Sequence, residues 1–267
     1  DRPAARRTMN AVTTQAMFEK AATARNAVEV EHVSKRYGKL TVLEDINLTA
    51  PSGSVLAIVG ASGCGKSTLL NIIAGLVQAD QGDVRIDGVA GEPMHDTRVV
   101  SYMFQEDRLL PWRTIVANTE FGLEAGSLNA ERRRERALAA LKMTGLEGFE
   151  HAYPHELSGG MRSRVALARS LVVKPYILLM DEPFSKLDPQ MRSQMHAELL
   201  RIREQLKMTV VFVTHDVEEA IVLADKVVVL RPRPGRVRDA LMIDLPRPRD
   251  PLAGEVAETV RRVRALI

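Results

Sequence analysis

The glycine-rich run Gly60, Ala61, Ser62, Gly63, Cys64, Gly65, Lys66, Ser67 is the first place where this chain could do chemistry. Its spacing is G-x-x-x-x-G-K-S, a phosphate-binding pattern. The glycines let the backbone wrap so that successive N–H groups converge on phosphate oxygens, and the helix that follows adds the positive end of its dipole. Lys66 is placed to reach the β- and γ-phosphates of a nucleotide, and the Ser67 hydroxyl to bind Mg²⁺. Residues Gly60 to Thr68 are therefore the candidate nucleotide-binding loop. Cys64 sits inside it and reads as a packed, unreactive thiol whose alkylation would block nucleotide.

Two further segments carry chemistry. Ile177-Leu-Leu-Met-Asp181-Glu182 sets two carboxylates at the end of an apolar strand. Taken alone, such a pair reads equally well as a turn or capping feature. Beside a phosphate loop, Asp181 becomes a Mg²⁺ ligand through water and Glu182 the general base that polarises the attacking water. Leu157-Ser158-Gly159-Gly160-Met161 opens a helix containing Arg162, Arg164 and Val165. By itself it is a serine cap with two flexible residues. It is also a second glycine-rich helix N-terminus, hence a second anion site.

Positioning these segments requires alternating strands and helices. Val28–Val33 alternates apolar and polar residues, and Thr41–Leu48 follows a Tyr37-Gly38 turn. Val55–Val59 is an unbroken apolar run, as in a strand buried on both faces. The spacing predicts a helix over Lys66–Leu76 with Leu69, Leu70, Ile72, Ile73 and Leu76 on one face. Residues 82–104 read as short β structure, and from about 113 to 173 the period is helical, with Asn129 capping a helix through Glu131–Met143. A second helix runs from about Gly160 to Val173. Strands return at Ile177–Met180, Val210–Thr214 and Val227–Leu230, with a helix opened by Asp188-Pro189 between the first two. The fold class is α/β: a mainly parallel sheet with crossover helices, an N-terminal antiparallel β part and an inserted α-helical subdomain.

Composition narrows the function classes. Over 267 residues, 45% hydrophobic and 27% charged side chains exclude wholesale disorder. One cysteine forms no internal disulfide and points to a reducing compartment. No apolar run approaches the ~18 residues of a membrane span, and Asp1–Arg25 lacks the apolar stretch of a secretory signal. The net charge of +3 divides unevenly: residues 1–26 carry +3 and residues 231–267 carry +4, leaving −4 between them. Basic flanks on an acidic centre describe solvated tails or tethers near acidic lipid, not a nucleic-acid face.

With these motifs in this order, the sequence resembles the ATPase subunit of ABC transporters over roughly residues 28–240. The resemblance implies a RecA-like P-loop core that binds ATP and Mg²⁺, and two copies that sandwich two ATP molecules head to tail. Ser158, Gly159 and Gly160 of one copy then complete the site of the other. It further implies that Tyr37 stacks on adenine, that Gln105 touches Mg²⁺ and the lytic water, and that His215 contacts the γ-phosphate. Asp188 in Ser185-Lys-Leu-Asp188 resembles the family's loop that crosses the dimer seam, and it also reads as the cap of the next helix. The implied catalytic set is Glu182, His215 and Gln105, and the implied metal set Ser67, Gln105 and Asp181. The implied domains are a mobile basic arm over 1–26, the ATPase domain over 27–240 with its helical subdomain at about 106–173, and a tail over 241–267. Three departures fall at the dimer contact: Met161 where the family often has glutamine, Ser163 just beyond it, and Lys186 in place of a small residue.

Phe104 to Ile115, with Leu109, Leu110, Pro111 and Trp112, is similar to the nitrate/sulfonate/taurine importer branch, as is the stretch Asp244-Leu-Pro-Arg-Pro-Arg249. Trp112 reads either as a docking surface for a permease or as a core anchor. The implied partners are a separate multi-span membrane permease, through it an extracytoplasmic solute-binding protein, and a second copy of the chain. The implied place is the cytoplasmic side of the inner membrane, as a peripheral subunit. The alternative is an ABC-type ATPase of a split exporter or of a soluble complex outside transport.

Overall fold

The computed structural model describes residues 25–90 and 99–267. The expected arm over 1–26 lies outside the described residues except for its last two, where Asn26 already opens the first strand.

In chain order the elements are β1 (Asn26–Tyr37), β2 (Leu40–Pro51), β3 (Val55–Gly60), α1 (Lys66–Ile73), β4 (Gln81–Ile86), β5 (Val89–Ala90) and β6 (Val100–Met103). There follow α2 (Ile115–Glu120), α3 (Ala130–Met143), α4 (Gly159–Leu171), β7 (Ile177–Asp181), α5 (Pro189–Leu206), β8 (Thr209–Thr214), α6 (Val217–Leu223), β9 (Lys226–Arg231), β10 (Arg236–Met242) and α7 (Gly254–Arg264). Among the described residues the strands form two sheets. One is antiparallel, in the order β2-β1-β4-β5; the other runs β10-β9-β3-β8-β7-β6. All neighbours in the second sheet are parallel except the β10–β9 pair.

The apolar strands serve two cores at once. Val55, Ala57 and Val59 of β3 face one cluster, while Leu56 and Ile58 face the other. Phe212 against Val211 and Val213, and Met180 against Leu179, repeat the alternation on β8 and β7. Both faces being covered, the period-two signal vanishes and only a continuous apolar run remains. Each of the larger of these side chains contributes about 1.5–3 kcal/mol of burial. A third cluster, including Ile115, Leu141, Leu146, Leu157, Val165 and Val172, joins α2, α3 and α4 into a separate helical layer.

Several boundaries differ from the sequence reading for local reasons. β1 extends to Tyr37 because register shifts near Val33 and His32 at φ 53° break the alternation without ending the pairing. The helix α1 stops at Ile73 rather than at residue 76, because Gly75 turns the backbone to φ 70°. Leu76 is consequently exposed at 58%, not part of the buried face. The sequence reading assigns no element to 241–267, where the structure places α7 with Val256, Val260 and Val263 buried in the core.

Candidate functional site

Parallel register is what assembles the site. Val59 of β3 lies opposite Thr214 of β8, Val213 opposite Asp181 of β7, and Met180 opposite Met103 of β6. The loops leaving these four strands therefore share one edge of the sheet, the carboxyl edge where open α/β sheets hold ligands. The phosphate loop leaves β3 there, His215 leaves β8, Glu182 leaves β7 and Gln105 leaves β6.

The loop is shaped by its glycines. A Cβ on Gly60 would lie 2.6 Å from the Leu230 carbonyl oxygen and 2.8 Å from Cys64 Sγ. Gly65 adopts φ 96° over Leu43 of β2. Lys66 is 6% exposed, and its Nζ donates to the carbonyls of Gly60 at 2.8 Å and Ala61 at 3.2 Å. Among the described residues no carboxylate forms an ion pair with it. The first turn of α1 holds no acid, and Gly65 gives its N–H groups no side-chain cap. A buried cation beside uncapped helix N–H groups fits an anionic phosphate. Cys64 is 1% exposed, and burial pushes its thiol up despite the Lys66 charge. It packs under Gly60.

Ser67 Oγ donates to Asp181 Oδ1 at 3.0 Å, so the last turn of the phosphate loop meets the strand end directly. The Tyr102 hydroxyl approaches Asp181 Oδ2 at 3.5 Å. Burial raises the Asp181 pKa, the Ser67 hydrogen bond opposes that, and the neighbouring Glu182 charge raises it further. Ser67, Asp181 and Gln105 offer only hard oxygen donors, the set that Mg²⁺ takes.

An acid with a raised pKa stabilises the fold below its unfolded-state pKa and loses that contribution as pH rises through its folded-state pKa. At neutral pH the Asp181 carboxylate therefore costs stability. Asp181→Asn is expected to raise the melting temperature of the nucleotide-free chain at pH 7.5, with the gain fading in acid. A lower melting temperature at pH 7.5 would contradict this.

Glu182 lies in the left-handed region at φ 45°, its N–H donating to the Val213 carbonyl at 3.0 Å. A non-glycine residue held there marks a constrained turn. Gln105 Nε2 donates to Glu182 Oε2 at 3.1 Å, and His215 Nδ1 lies 3.2 Å from the same oxygen. The three expected catalytic residues thus converge on one atom. The Glu182 side chain is 18% exposed and that of His215 60%.

Other expected residues stand apart from this cluster. Tyr37 is half exposed at the end of β1, with Lys35 Nζ 5.4 Å from its ring centre. Ser158 caps α4, its Oγ accepting from Met161 N at 3.3 Å, and it is exposed together with Gly159. Among the described residues no hydrogen bond joins Ser158, Gly159 or Gly160 to the phosphate loop of the same chain. Asp188 is exposed and caps α5 through Met191 N at 2.9 Å.

Sequence reasoning missed three supporting residues. Tyr102 faces Asp181 from β6. Arg192 ties the two loops flanking the site, donating to Leu187 O at 3.2 Å and to Asp216 Oδ2 at 3.0 Å. Asn118, fully buried, accepts from Leu110 N at 2.8 Å and donates to the carbonyls of Leu110, Arg113 and Thr114. That staple holds Trp112 at 72% exposure, which excludes the core-anchor reading of the tryptophan. The burial that sets Asn118 apart from Asn129 in the same helical stretch is not legible in the sequence.

Comparison with known proteins places the chain in a family. The sequence profile of the ABC transporter family matches residues 43–185. The chain is 47% identical over 242 residues to an uncharacterized ABC transporter ATP-binding protein of Methanocaldococcus jannaschii, covering 88% of this chain and 89% of the relative. It is 42% identical over 234 residues to the taurine import ATP-binding protein TauB of Escherichia coli strain K12 (88% and 90% covered). It is also 42% identical over 233 residues to the aliphatic sulfonates import ATP-binding protein SsuB 1 of Xanthomonas axonopodis pv. citri (87% and 92%). Among solved structures, a dimeric ATP-binding cassette in a post-hydrolysis state with ADP and phosphate superposes with a TM-score of 0.72 at 33% identity, covering 82% of this chain and 99% of that one. Among the described residues no helix is long and apolar enough to cross a membrane. The chain belongs to the ABC transporter family, as one of its ATP-binding, ATP-hydrolysing cassettes.

Proposed function

We propose that this cassette powers import of a small solute of the nitrate, aliphatic sulfonate or taurine class through a separate membrane permease. The observation that carries the catalytic half of the reading is the convergence of Gln105 and His215 on Glu182 Oε2, at the sheet edge that also holds Lys66 and Ser67. Glu182 takes a proton from water as the water oxygen bonds to the γ-phosphorus. The β–γ bridging bond breaks, and ADP and inorganic phosphate result. Lys66 holds the β- and γ-phosphate oxygens, and His215 binds a γ-oxygen and orients Glu182. Ser67, Asp181 and Gln105 are the residues that would hold Mg²⁺, which when bound neutralises charge on the phosphate oxygens.

Two copies act together in this reading. Ser158, Gly159 and Gly160 form a helix N-terminus, exposed at Ser158 and Gly159 and detached from its own phosphate loop, which suits an anion presented by a second copy. Asp188 and its loop then lie along the seam, and Tyr37 stacks on adenine. Closure on ATP and reopening on hydrolysis pass to the permease. The exposed Trp112, fixed by Asn118 beside Leu109 and Leu110, offers the apolar surface for that contact. The resemblance to TauB and SsuB 1 supports import, with an extracytoplasmic binding protein selecting the solute and the cassette on the cytoplasmic face of the membrane.

The test is capture of partners by tagged Glu182→Gln, loaded with ATP, from detergent-solubilised membranes, with identification by mass spectrometry. Recovery of a multi-span permease is expected, and its companion binding protein then names the solute. Reproducible recovery of soluble proteins or nucleic acid alone would overturn the transport reading and leave the ATPase chemistry in place.

A further inference from the structure

The stretch Asp244-Leu-Pro-Arg-Pro-Arg249 has no part in the chemistry above, yet it holds the most heavily bonded arginine in the neighbourhood of α6. Arg249 is 7% exposed. It donates to the carbonyls of Ile221 at 2.7 Å and Ala224 at 2.5 Å, which close α6, and to Ile243 at 2.9 Å and Leu245 at 3.0 Å on its own segment. Arg247 donates to the Leu223 carbonyl at 2.5 Å and pairs with Asp225 Oδ1 at 2.6 Å. Two guanidinium groups thus satisfy the orphan carbonyls at one helix end, where positive charge is also favoured by the dipole. Asp225 in turn accepts from Val55 N at 2.8 Å, at the start of the strand that delivers the phosphate loop.

The other end of α6 is the catalytic end. Asp216 caps it, accepting from Glu218 N at 2.9 Å, and His215 is the residue before the cap. Here too the same segment is present. α7 packs Val256, Val260 and Val263 into the core that holds Val217, Ala220 and Ile221 of α6. A cleft of about 480 Å³ is lined by His215, Asp216, Arg192 and Glu219 together with Arg264 and Ile267. Residues 243–267 therefore grip α6 at its far end through two arginines, and flank it at its near end.

We propose that residues 243–267 form the seat of α6, and that Arg249 is the positioning residue that holds His215 in register with Glu182. A seven-residue helix has little stability of its own, so its placement depends on what it packs against. Loss of the Arg249 donors frees the carbonyl end, and a displacement of about an ångström at His215 suffices to slow hydrolysis. The proposal rests on the reading of His215 as a γ-phosphate contact.

The experiment compares Arg249→Met, Arg249→Lys and His215→Ala in the full chain, measuring kcat and KM for ATP hydrolysis and the Kd for ATP. For folded Arg249→Met, kcat is expected to fall about tenfold with the Kd for ATP within about twofold of the parent, because Lys66 and its loop make no contact with Arg249. Arg249→Lys should recover part of the rate, and backbone amides of residues 217–223 should exchange faster in Arg249→Met. An unchanged kcat, or a loss of kcat matched by a loss of ATP affinity, overturns the proposal. If Arg249→Met does not fold, Arg249→Lys carries the same split: a lower kcat with unchanged Kd is expected, and parental kcat overturns it. His215→Ala keeps the two ideas apart. Full hydrolysis in that variant removes the His215 reading itself; lost hydrolysis there with parental kcat in Arg249→Met removes only the seat.

Discussion

Glu182→Gln is expected to lower ATP hydrolysis by about a hundredfold or more, the share a positioned general base supplies, while ATP binding persists and the chain becomes a stable dimer in ATP. The geometry supports this separation. Glu182 Oε2 accepts from Gln105 at 3.1 Å and lies 3.2 Å from His215 Nδ1. A glutamine oxygen can keep either contact, so the turn at φ 45° and its hydrogen bond to Val213 have no reason to move. What is lost is the capacity to take a proton from water. Lys66, which would hold the phosphates, donates to the loop carbonyls, and Ser67, which would hold Mg²⁺, donates to Asp181; neither is bonded to Glu182. Sedimentation with ATP and with ADP, alongside phosphate release, checks it. Hydrolysis above a tenth of the parental rate would remove Glu182 from the base role.

Ser158→Arg is expected to abolish hydrolysis, by about a hundredfold or more, and to leave ATP binding by the single chain within a few-fold of the parent. Charge alone argues the opposite, because a guanidinium beside an anion site attracts phosphate. Sterics decide: Ser158 and Gly159 are small and exposed at the start of α4, and in the two-copy reading a guanidinium there would block the approach of the other copy's phosphate. The fold tolerates the change, since the lost cap to Met161 N is worth about 1 kcal/mol. Equilibrium binding of a fluorescent ATP analogue and steady-state hydrolysis separate the two effects. A variant that loses ATP binding along with hydrolysis would place Ser158 in its own chain's site instead.

Sequence and structure agree best where one segment carries its own signal. The phosphate loop lies between a strand buried on both faces and an amphipathic helix, and all three features sit in residues 55–73. The acid pair at the end of β7 is legible as a costly placement of two carboxylates, but its catalytic reading depends on the phosphate loop upstream, since alone it reads equally well as a turn or cap. The meeting of Gln105, Glu182 and His215 was not readable from spacing. It depends on β6, β7 and β8 lying side by side in parallel register, a long-range property that local patterns do not encode. α6 is too short to show a period, and α7, with valines at 256, 260 and 263, was masked by Arg261, Arg262 and Arg264 around them. Arg249 was hidden for another reason. An arginine in a proline-flanked stretch reads as surface, and only the fold reveals four carbonyls waiting for it.

The central claim is that each ATP site is built from two chains, and mixing two dead variants tests it most directly. Lys66→Ala lacks its phosphate cation, and Ser158→Arg lacks an open second anion site, so neither should hydrolyse ATP alone. In a mixed dimer one site receives intact Lys66 from one chain and intact Ser158 from the other. An equal mixture is predicted to regain about a quarter of the parental rate, since about half of the dimers are mixed and each holds one intact site. A mixture as inactive as its two components, under conditions where mixed dimers are shown to form, would contradict the account.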